Sequence, residues 1–489
     1  MKAQTNYDKV VDLALRRGFF FPAAEIYNPI AGFYEYGPSG VAFKNNFIDF
    51  WRRQIVRADS MLEVDGSQIL PEIVFKSSGH LQNFVDPLVE CKKCNALFRA
   101  DKLLEQKLRK PIPENLPNHE FDKLLKENNI KCGSCKGEFS NTRKFNMMFR
   151  FSSGPRGDEM VALRPETCQN IFLDFPRLFK VMRAKLPVGL AQVGKSFRNE
   201  ISPRQGVLRQ REFTQAEAEI FFNPSAKSFD AFDQFKGYKL RLQPVGKDKV
   251  QEITAEDAVK KKILSNKLVA YYLAILQKFY EAAGMKDFRL RELDKNERAF
   301  YAKEAWDFEA KTSVGWVELV ACNNRGDHDL SGHGKGSSKD LMVLDGEKKI
   351  LPHIFELSMG VDRSIYCLLE QAYSEDKVDK EVRKVLKLNK RLAPVSTAVL
   401  PLLNKDGLPE KAMKIYETLK GCFTSVYDGS GSVGKRYRRQ DEVGTPFCVT
   451  VDHQTLEDDT VTVRDRDSMK QERVKVKEVV NYLYDKIYS

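Results

Sequence analysis

The stretch "REFTQAEAEIFF", residues 211–222, constrains this chain more than any other. Phe213, Gln215, Glu217 and Glu219 recur at every second position, and a period of two puts all four side chains on one face of a β-strand. The carboxylates then form a shared surface instead of scattered charge. Just upstream, Arg198, Arg204, Arg209 and Arg211 place four guanidinium groups within fourteen residues, answered by Glu200, Glu212, Glu217 and Glu219. Charge alternation of this density is by default a solvated face. The hydrophobic pattern around it, with "VG" before and phenylalanines after, argues against that default and for a site built on a sheet.

The rest of the chain fits a multidomain globular protein. Its 489 residues, 42% hydrophobic, suggest about three domains at ~150 residues each. Residues 41–59 read as a helix, with Phe43, Phe47, Phe50, Trp51 and Ile55 at helical spacing, followed by an extended "MLEVDGSQILP" stopped at Pro71. Residues 88–144 are lysine-rich, hold two CxxC pairs and read as an insertion; residues 223–290 read as a second insertion ending in the helix "KLVAYYLAILQKFYEAAG". Consecutive strands from about residue 145 predict an antiparallel sheet. From residue 393 strands alternate with helices, which predicts a separate small α/β domain over 393–489, closed by a helix from about 470.

The formal charge of +12 favours a polyanionic partner, with nucleic acid ahead of a membrane surface. No stretch approaches the ~18 unbroken apolar residues of a membrane helix. Asp8 and Asp12 interrupt the N-terminal segment, which is not built as a signal peptide, so the expected compartment is the cytoplasm. Nine cysteines without a secretion signal argue against a disulfide framework.

A nucleoside triphosphate needs cations at its phosphates, a flat apolar surface for the base and a carboxylate for its metal. All three residue types are present, yet there is no G-x-x-x-x-G-K-[ST] loop and no strand-associated G-x-G-x-x-G. A nucleotide site here has to be made of arginines on a sheet. "FRNEISPRQGVLRQREFTQAEAE" resembles the second signature motif of class II aminoacyl-tRNA synthetases, and "FELSMGVDRSIYCLL" resembles the third. The helix and strand ending at Pro71 look like the first, which in that class builds the dimer interface. "RPETCQNIF", "GWVELVACNNRGDHDLS", "GSGSVGKRYRRQDEVGTPF" and "VRDRDSMKQ" are similar to the glycyl-tRNA synthetases of the homodimeric type. The matches run from about residue 17 to residue 475, nearly the whole chain.

The resemblance implies an α/β protein: an α+β catalytic domain over 1–390, with an antiparallel sheet flanked by helices and carrying the insertions, and an α/β anticodon-binding domain. It implies ATP and Mg²⁺, glycine, tRNA and a second copy of the chain as partners, and no membrane. By the same resemblance Arg198 would hold the ATP α-phosphate and the glycine carboxylate. Glu200 would meet the adenine amino group, Phe213 would stack on the base, and Arg363, after Gly360, would cover its other face and reach the γ-phosphate. Arg209, Arg211 and Arg325 would be further phosphate-side cations, and Glu318 a magnesium ligand. Glu166, Glu217 and Glu356, with Ser358, would hold the glycine ammonium. Exclusion of alanine would then be steric, and no editing domain is expected. Asp362 stands where many class II enzymes have a second glycine, and Cys168 and Asn170 depart from the alanine and glycine expected after "RPET".

Cys91 and Cys94 in "CKKC" and Cys132 and Cys135 in "CGSC" carry the spacing of a four-thiolate structural zinc site, with no open position for catalysis. Lys92, Lys93, Lys131 and Lys136 flank it and could meet tRNA phosphate. Lys435, Arg436, Arg438 and Arg439 with Tyr437 form the densest basic cluster and are expected to help hold single-stranded bases. His328, His333 and His353 have irregular spacing and read as ordinary loop or core residues. Three other functions compete: a class II synthetase for another amino acid, a catalytically dead paralogue, and a basic RNA-binding protein without activity. Joint presence of Arg198, Glu200, Glu318 and Arg363 disfavours the dead paralogue, and the three ammonium-facing glutamates disfavour another amino acid.

Overall fold

A nine-stranded sheet organises the first three-quarters of the chain. The computed structural model describes residues 4–488 except 111, 114, 115, 204, 227, 379 and 380, so Arg204 lies outside the described residues. In chain order the strands are β1 (Leu62–Val64), β2 (Val188–Phe197), β3 (Glu212–Phe222), β4 (Lys239–Gln243), β5 (Gln251–Thr254), β6 (Phe288–Glu292), β7 (Glu304–Thr312), β8 (Gly315–Gly326) and β9 (His353–Gly360). Across the sheet they run β5-β4-β6-β7-β8-β9-β3-β2-β1. The pairs from β6 to β2 are antiparallel; β1 joins β2, and β4 joins β6, in parallel.

One side of this sheet is closed by helices α1 (Pro38–Trp51), α2 (Lys267–Ala283) and α3 (Val361–Ala372), whose Phe43, Phe47, Leu276, Phe279, Ile365 and Leu369 share a core with Ala216, Ala218 and Ile220 of β3. The residues of β3 between these apolar ones therefore face the other way, toward the cavity described below. Residues 223–290 belong to this frame: β4 and β5 make the sheet edge, and α2 lies in the main core, sealed at its end by Gly284 at φ 99°. A helix with Leu268, Val269, Tyr272, Leu273, Leu276 and Tyr280 all buried cannot hang on the outside.

Three local expectations change. The extended run 61–71 is two strands in two sheets, β1 and Ile69–Pro71, the latter pairing with Glu159–Leu163. The break falls at Gly66, where a Cβ would sit 2.5 Å from Asn170 Cβ, so the chain turns against a side chain that allows only glycine. Helix α1 continues past Trp51 as a wider turn over Arg52–Arg57. At the C-terminus, Gln471–Lys475 is a strand hydrogen-bonded to Thr460–Asp465, and the last helix starts only at Val479.

Residues 85–146 form a three-stranded sheet with two helices and a small core of Val89, Leu104, Phe121 and Leu125. The C-terminal unit is a five-stranded sheet, parallel over Ser425–Tyr427, Thr397–Pro401 and Phe447–Val451 and antiparallel beyond, with its own core. It is tied to the hairpin 373–386 by Arg383, which is fully buried. Arg383 donates to both oxygens of Asp441 at 2.7 and 2.8 Å, and Arg464 donates to them at 3.0 and 3.3 Å. No helix among the described residues is long and apolar enough to cross a membrane.

Candidate active site

The polar side of β3, β8 and β9 opens into a cavity of about 860 Å³. Register sets its rows: Glu217 lies opposite Ser358, Glu219 opposite Glu356, and Glu356 opposite Asn323. Side chains that are cross-strand neighbours on one face must meet. At the wide end, Arg209, Arg363 and Glu318 keep 32%, 34% and 47% of their side-chain surface. At the narrow end Glu166 and Glu356 are buried in the lining, and Glu217 is buried just behind Ser358.

The wide end carries the cations. Arg198 spends its Nε on the Pro165 carbonyl at 3.1 Å and lies between the rings of Phe84 and Phe213, each centroid 5.4 Å away. Arg209 donates to Glu200 Oε2 through Nε at 2.7 Å and Nη2 at 2.5 Å. Arg363 donates to the carbonyls of Leu208 and Glu318 at 3.1 Å each, and its Nη1 lies 3.6 Å from the Glu318 carboxylate. Gly360 has an ordinary φ of −81°, so its contribution is a gap in the wall, not a turn. Asp362 is buried under the site, accepting from the Thr214 N–H and from the Tyr36 hydroxyl; it fastens the start of α3 to β3.

The narrow end concentrates carboxylates. Glu217 Oε1 accepts from Ser358 Oγ at 2.5 Å and Gln215 Nε2 at 3.1 Å, and its Oε2 accepts from Thr167 Oγ1 at 2.5 Å. Glu166 Oε1 accepts from the Cys168 thiol at 3.0 Å and Gln169 Nε2 at 3.3 Å, and lies 3.1 Å from His80 Nε2. Burial pushes the Glu166 carboxyl up, but His80 and Arg325 outweigh it and hold it well below the ordinary range. Burial raises Glu217, with Glu166 adding to it. Burial also pushes Glu356 up to about 8 in spite of Arg325, with Glu166 and Glu217 adding.

Two expected phosphate cations are placed elsewhere. Arg325 is fully buried behind the narrow end: Nε and Nη2 donate to Asp329 at 2.7 and 2.8 Å, Nη1 donates to Glu356 at 2.6 Å, and the plane lies 3.7 Å from the Tyr301 ring. Its charge serves the carboxylates, not the open end. Arg211 donates to the backbone oxygens of Glu200 and Ala31 and does not line the cavity. Arg164 explains the "VG" of the opening strand. Its guanidinium crosses Gly194, where a Cβ would sit 2.1 Å from Nη2, and donates to the carbonyls of Lys195 and Gly66.

Residue-level reading missed His80 and Asp307. His80 follows a loop with no periodicity to mark it. Asp307 faces Ala321 across β7 and β8, and burial and the nearby Glu318 push its carboxyl well above the ordinary range. Sequence alone cannot pair residues on β7 and β8 without their register.

Outside the cavity, the sulfurs of Cys91, Cys94, Cys132 and Cys135 lie within 4.8 Å of one another, with Cys91–Cys135 at 3.4 Å and Cys94–Cys132 at 3.7 Å. A tetrahedral ion with ~2.3 Å bonds to sulfur needs about 3.8 Å between sulfurs, so the donor set fits zinc. The C-terminal basic cluster is partly consumed by its own fold. Arg436 is buried and donates to the carbonyls of Pro401, Gly429 and Gly431, and Arg439 holds Asp428 at 2.8 Å through two nitrogens.

Residues 149–372 match the family model described as the tRNA synthetase class II core domain (G, H, P, S and T), and residues 396–486 match the anticodon binding domain. The chain is 38% identical to the glycine–tRNA ligase of Methanococcus maripaludis, over 99% of this chain and 100% of that protein. It is 40% identical to that of Thermococcus gammatolerans, over 99% of each, and 38% identical to that of Methanocaldococcus jannaschii, over 98% and 99%. The chain belongs to the glycine–tRNA ligase family. It is an aminoacyl-tRNA ligase with a class II core and an anticodon-binding domain, and its substrates are glycine, ATP and tRNA.

Proposed function

We propose that the cavity holds ATP at its wide end and glycine at its narrow end, and that the two react at Arg198 between them. The gradient from half-exposed cations to buried carboxylates carries this reading. Phe213 offers the base a ring, Arg363 can close over its other face, and the carboxylate of Glu200 accepts from the adenine amino group. Arg209, held by Glu200, faces the phosphates. Glycine has no side chain to grip, so its ammonium is recognised by Glu166, Glu217 and Glu356 with the Ser358 hydroxyl.

The glycine carboxylate oxygen attacks the α-phosphorus, pyrophosphate leaves, and a terminal ribose hydroxyl of tRNA then takes the glycyl group from AMP. Among the described residues the two Nη groups of Arg198 have no protein partner, so they are free for the oxygens on which charge accumulates. Fixed donors of this kind are worth ~100- to 1000-fold each in rate. Glu318 and Asp307, which both line the cavity, would hold Mg²⁺, which neutralises the phosphates when bound. The four cysteines of residues 85–146 would hold one structural zinc ion.

Ile69 and Phe151, exposed on one face of the small sheet beside Pro71, and Ile73, exposed on the helix Glu72–Ser77 that follows, would be covered by a second copy of the chain. The expected compartment is the cytoplasm, where such a ligase meets its tRNA. ATP–pyrophosphate exchange tests the central claim. Glycine alone among amino acids should support it, and Arg198→Ala or Arg363→Ala should abolish it while oligomeric state is kept; normal exchange in either variant overturns the assignment.

A further inference from the structure

Directly below the proposed ammonium site lies a group that the reaction leaves unused. Glu219 is two residues beyond Glu217 on β3, on the same face and opposite Glu356. It is fully buried, and neither carboxylate oxygen has a hydrogen-bond partner. Native interiors rarely leave a buried carboxyl orphaned, and such a group calls for an explanation. Cys168, also fully buried, approaches from the neighbouring helix Cys168–Val181. Its Sγ, an oxygen of Glu217 and an oxygen of Glu219 all lie within 4.8 Å of one another.

One thiol and two carboxylates converging from three positions make a mixed sulfur–oxygen donor set. Such a set suits a borderline-soft ion such as Zn²⁺ or Cd²⁺, whereas Mg²⁺ takes oxygen and water ligands. Burial, with Glu166 and Glu217, raises the Cys168 thiol, and burial with Glu356 raises Glu219. Arg325 offers Glu219 no hydrogen bond, since its three bonding nitrogens are taken by Asp329 and Glu356; its charge only partly offsets the burial.

We propose that Cys168, Glu217 and Glu219 form a binding site for a thiophilic divalent cation just behind the blind end of the cavity, beneath the Glu166, Glu356 and Ser358 that line it, and that its occupancy excludes glycine. The exclusion rests on the reading of the narrow end as the glycine pocket. A cation on Glu217 takes the oxygens meant for the ammonium and puts a second positive charge beside it. The site thus makes the ligase sensitive to zinc or cadmium through its amino-acid substrate, leaving the nucleotide end untouched.

The test uses the full chain with its four-cysteine site already filled by cadmium, and cadmium alone as the probe. The parent protein should bind one further ion, seen in equilibrium dialysis and as an additional thiolate-to-cadmium absorption band. Cys168→Ala should lose both, and Glu219→Gln, which keeps the thiol, should weaken binding at least tenfold. Cadmium should raise the apparent KM for glycine at least tenfold in the parent, without a comparable change in the KM for ATP, and should leave the glycine KM of Cys168→Ala where it stands without metal. A further ion that survives in Cys168→Ala overturns the site. A further ion that Cys168→Ala abolishes, but that leaves the glycine KM of the parent unmoved, upholds the site and overturns the placing of glycine above it.

Discussion

Replacing Arg325 by lysine separates a glycine-side role from a phosphate-side role for this cation. The guanidinium makes three charge-assisted bonds, two to Asp329 and one to Glu356, and lies against Tyr301. A lysine keeps the charge but loses the planar fork, so at least two of the three bonds are forfeited. At ~1.5–3 kcal/mol for a hydrogen bond to a charged group, the loss is about 3–6 kcal/mol. That overlaps the ~3–5 kcal/mol seen when a buried ion pair is broken. We expect urea denaturation to register a loss of about 3 kcal/mol or more, and kcat/KM for glycine to fall about 100-fold or more at 1.36 kcal/mol per decade. The KM for ATP in pyrophosphate exchange should change little, because Arg325 sits behind the carboxylates. A variant whose KM for ATP rises while its KM for glycine stays fixed would refute this reasoning and return Arg325 to the phosphates.

Three more outcomes follow from the geometry. Cys135→Ser should release the single zinc ion from residues 85–146, read by elemental analysis, and should melt that unit's small core because a structural ion is part of its folding free energy. Asp441→Asn removes the charge that Arg383 and Arg464 share; we expect a loss of about 3–5 kcal/mol and, by calorimetry, separation of one unfolding transition into two. Burial holds the His333 imidazole down to about 4, below its ordinary 6.5, where its Nε2 faces Gln169 Oε1 at 3.0 Å. The unfolded chain therefore binds the proton more readily, so stability present above pH 6.5 is lost as pH falls from 6.5 toward 4, by about 3 kcal/mol. His333→Gln should flatten that part of the stability profile; an unchanged slope would show that the imidazole is not the group responsible.

The strand carrying Phe213, Gln215, Glu217 and Glu219 was legible because its alternation is local and strict, and a half-polar strand has few places to lie. The same holds for the paired cysteines, whose spacing is itself the geometry of the site. What stayed hidden depends on partners distant in sequence. Arg325 reads as a lone arginine in a polar stretch until β8 and β9 bring Glu356 against it. Arg211 could not be told from Arg209, since both are exposed-looking cations two residues apart, and only the folded loop, which brings the Glu200 carbonyl and the 31–33 segment against it, commits Arg211 to carbonyl oxygens. Residues 223–290 looked polar on average, and the average concealed β4, β5 and a helix buried on most of its surface. The break at Gly66 rests on Asn170, a hundred residues away.

The cavity's taper also imposes a timetable. With glycine at the buried end and ATP at the open end, as proposed above, the nucleotide would lie between the amino acid and solvent, so glycine would have to be seated before ATP or together with it. Once both are in place the smaller substrate cannot escape past the larger. In that arrangement pyrophosphate, nearest the opening, would depart first and clear the passage through which the ribose of tRNA can arrive. Until then pyrophosphate, the group displaced from ATP, would stand between the activated glycine and water, and the shape of the hole would do the work of a door.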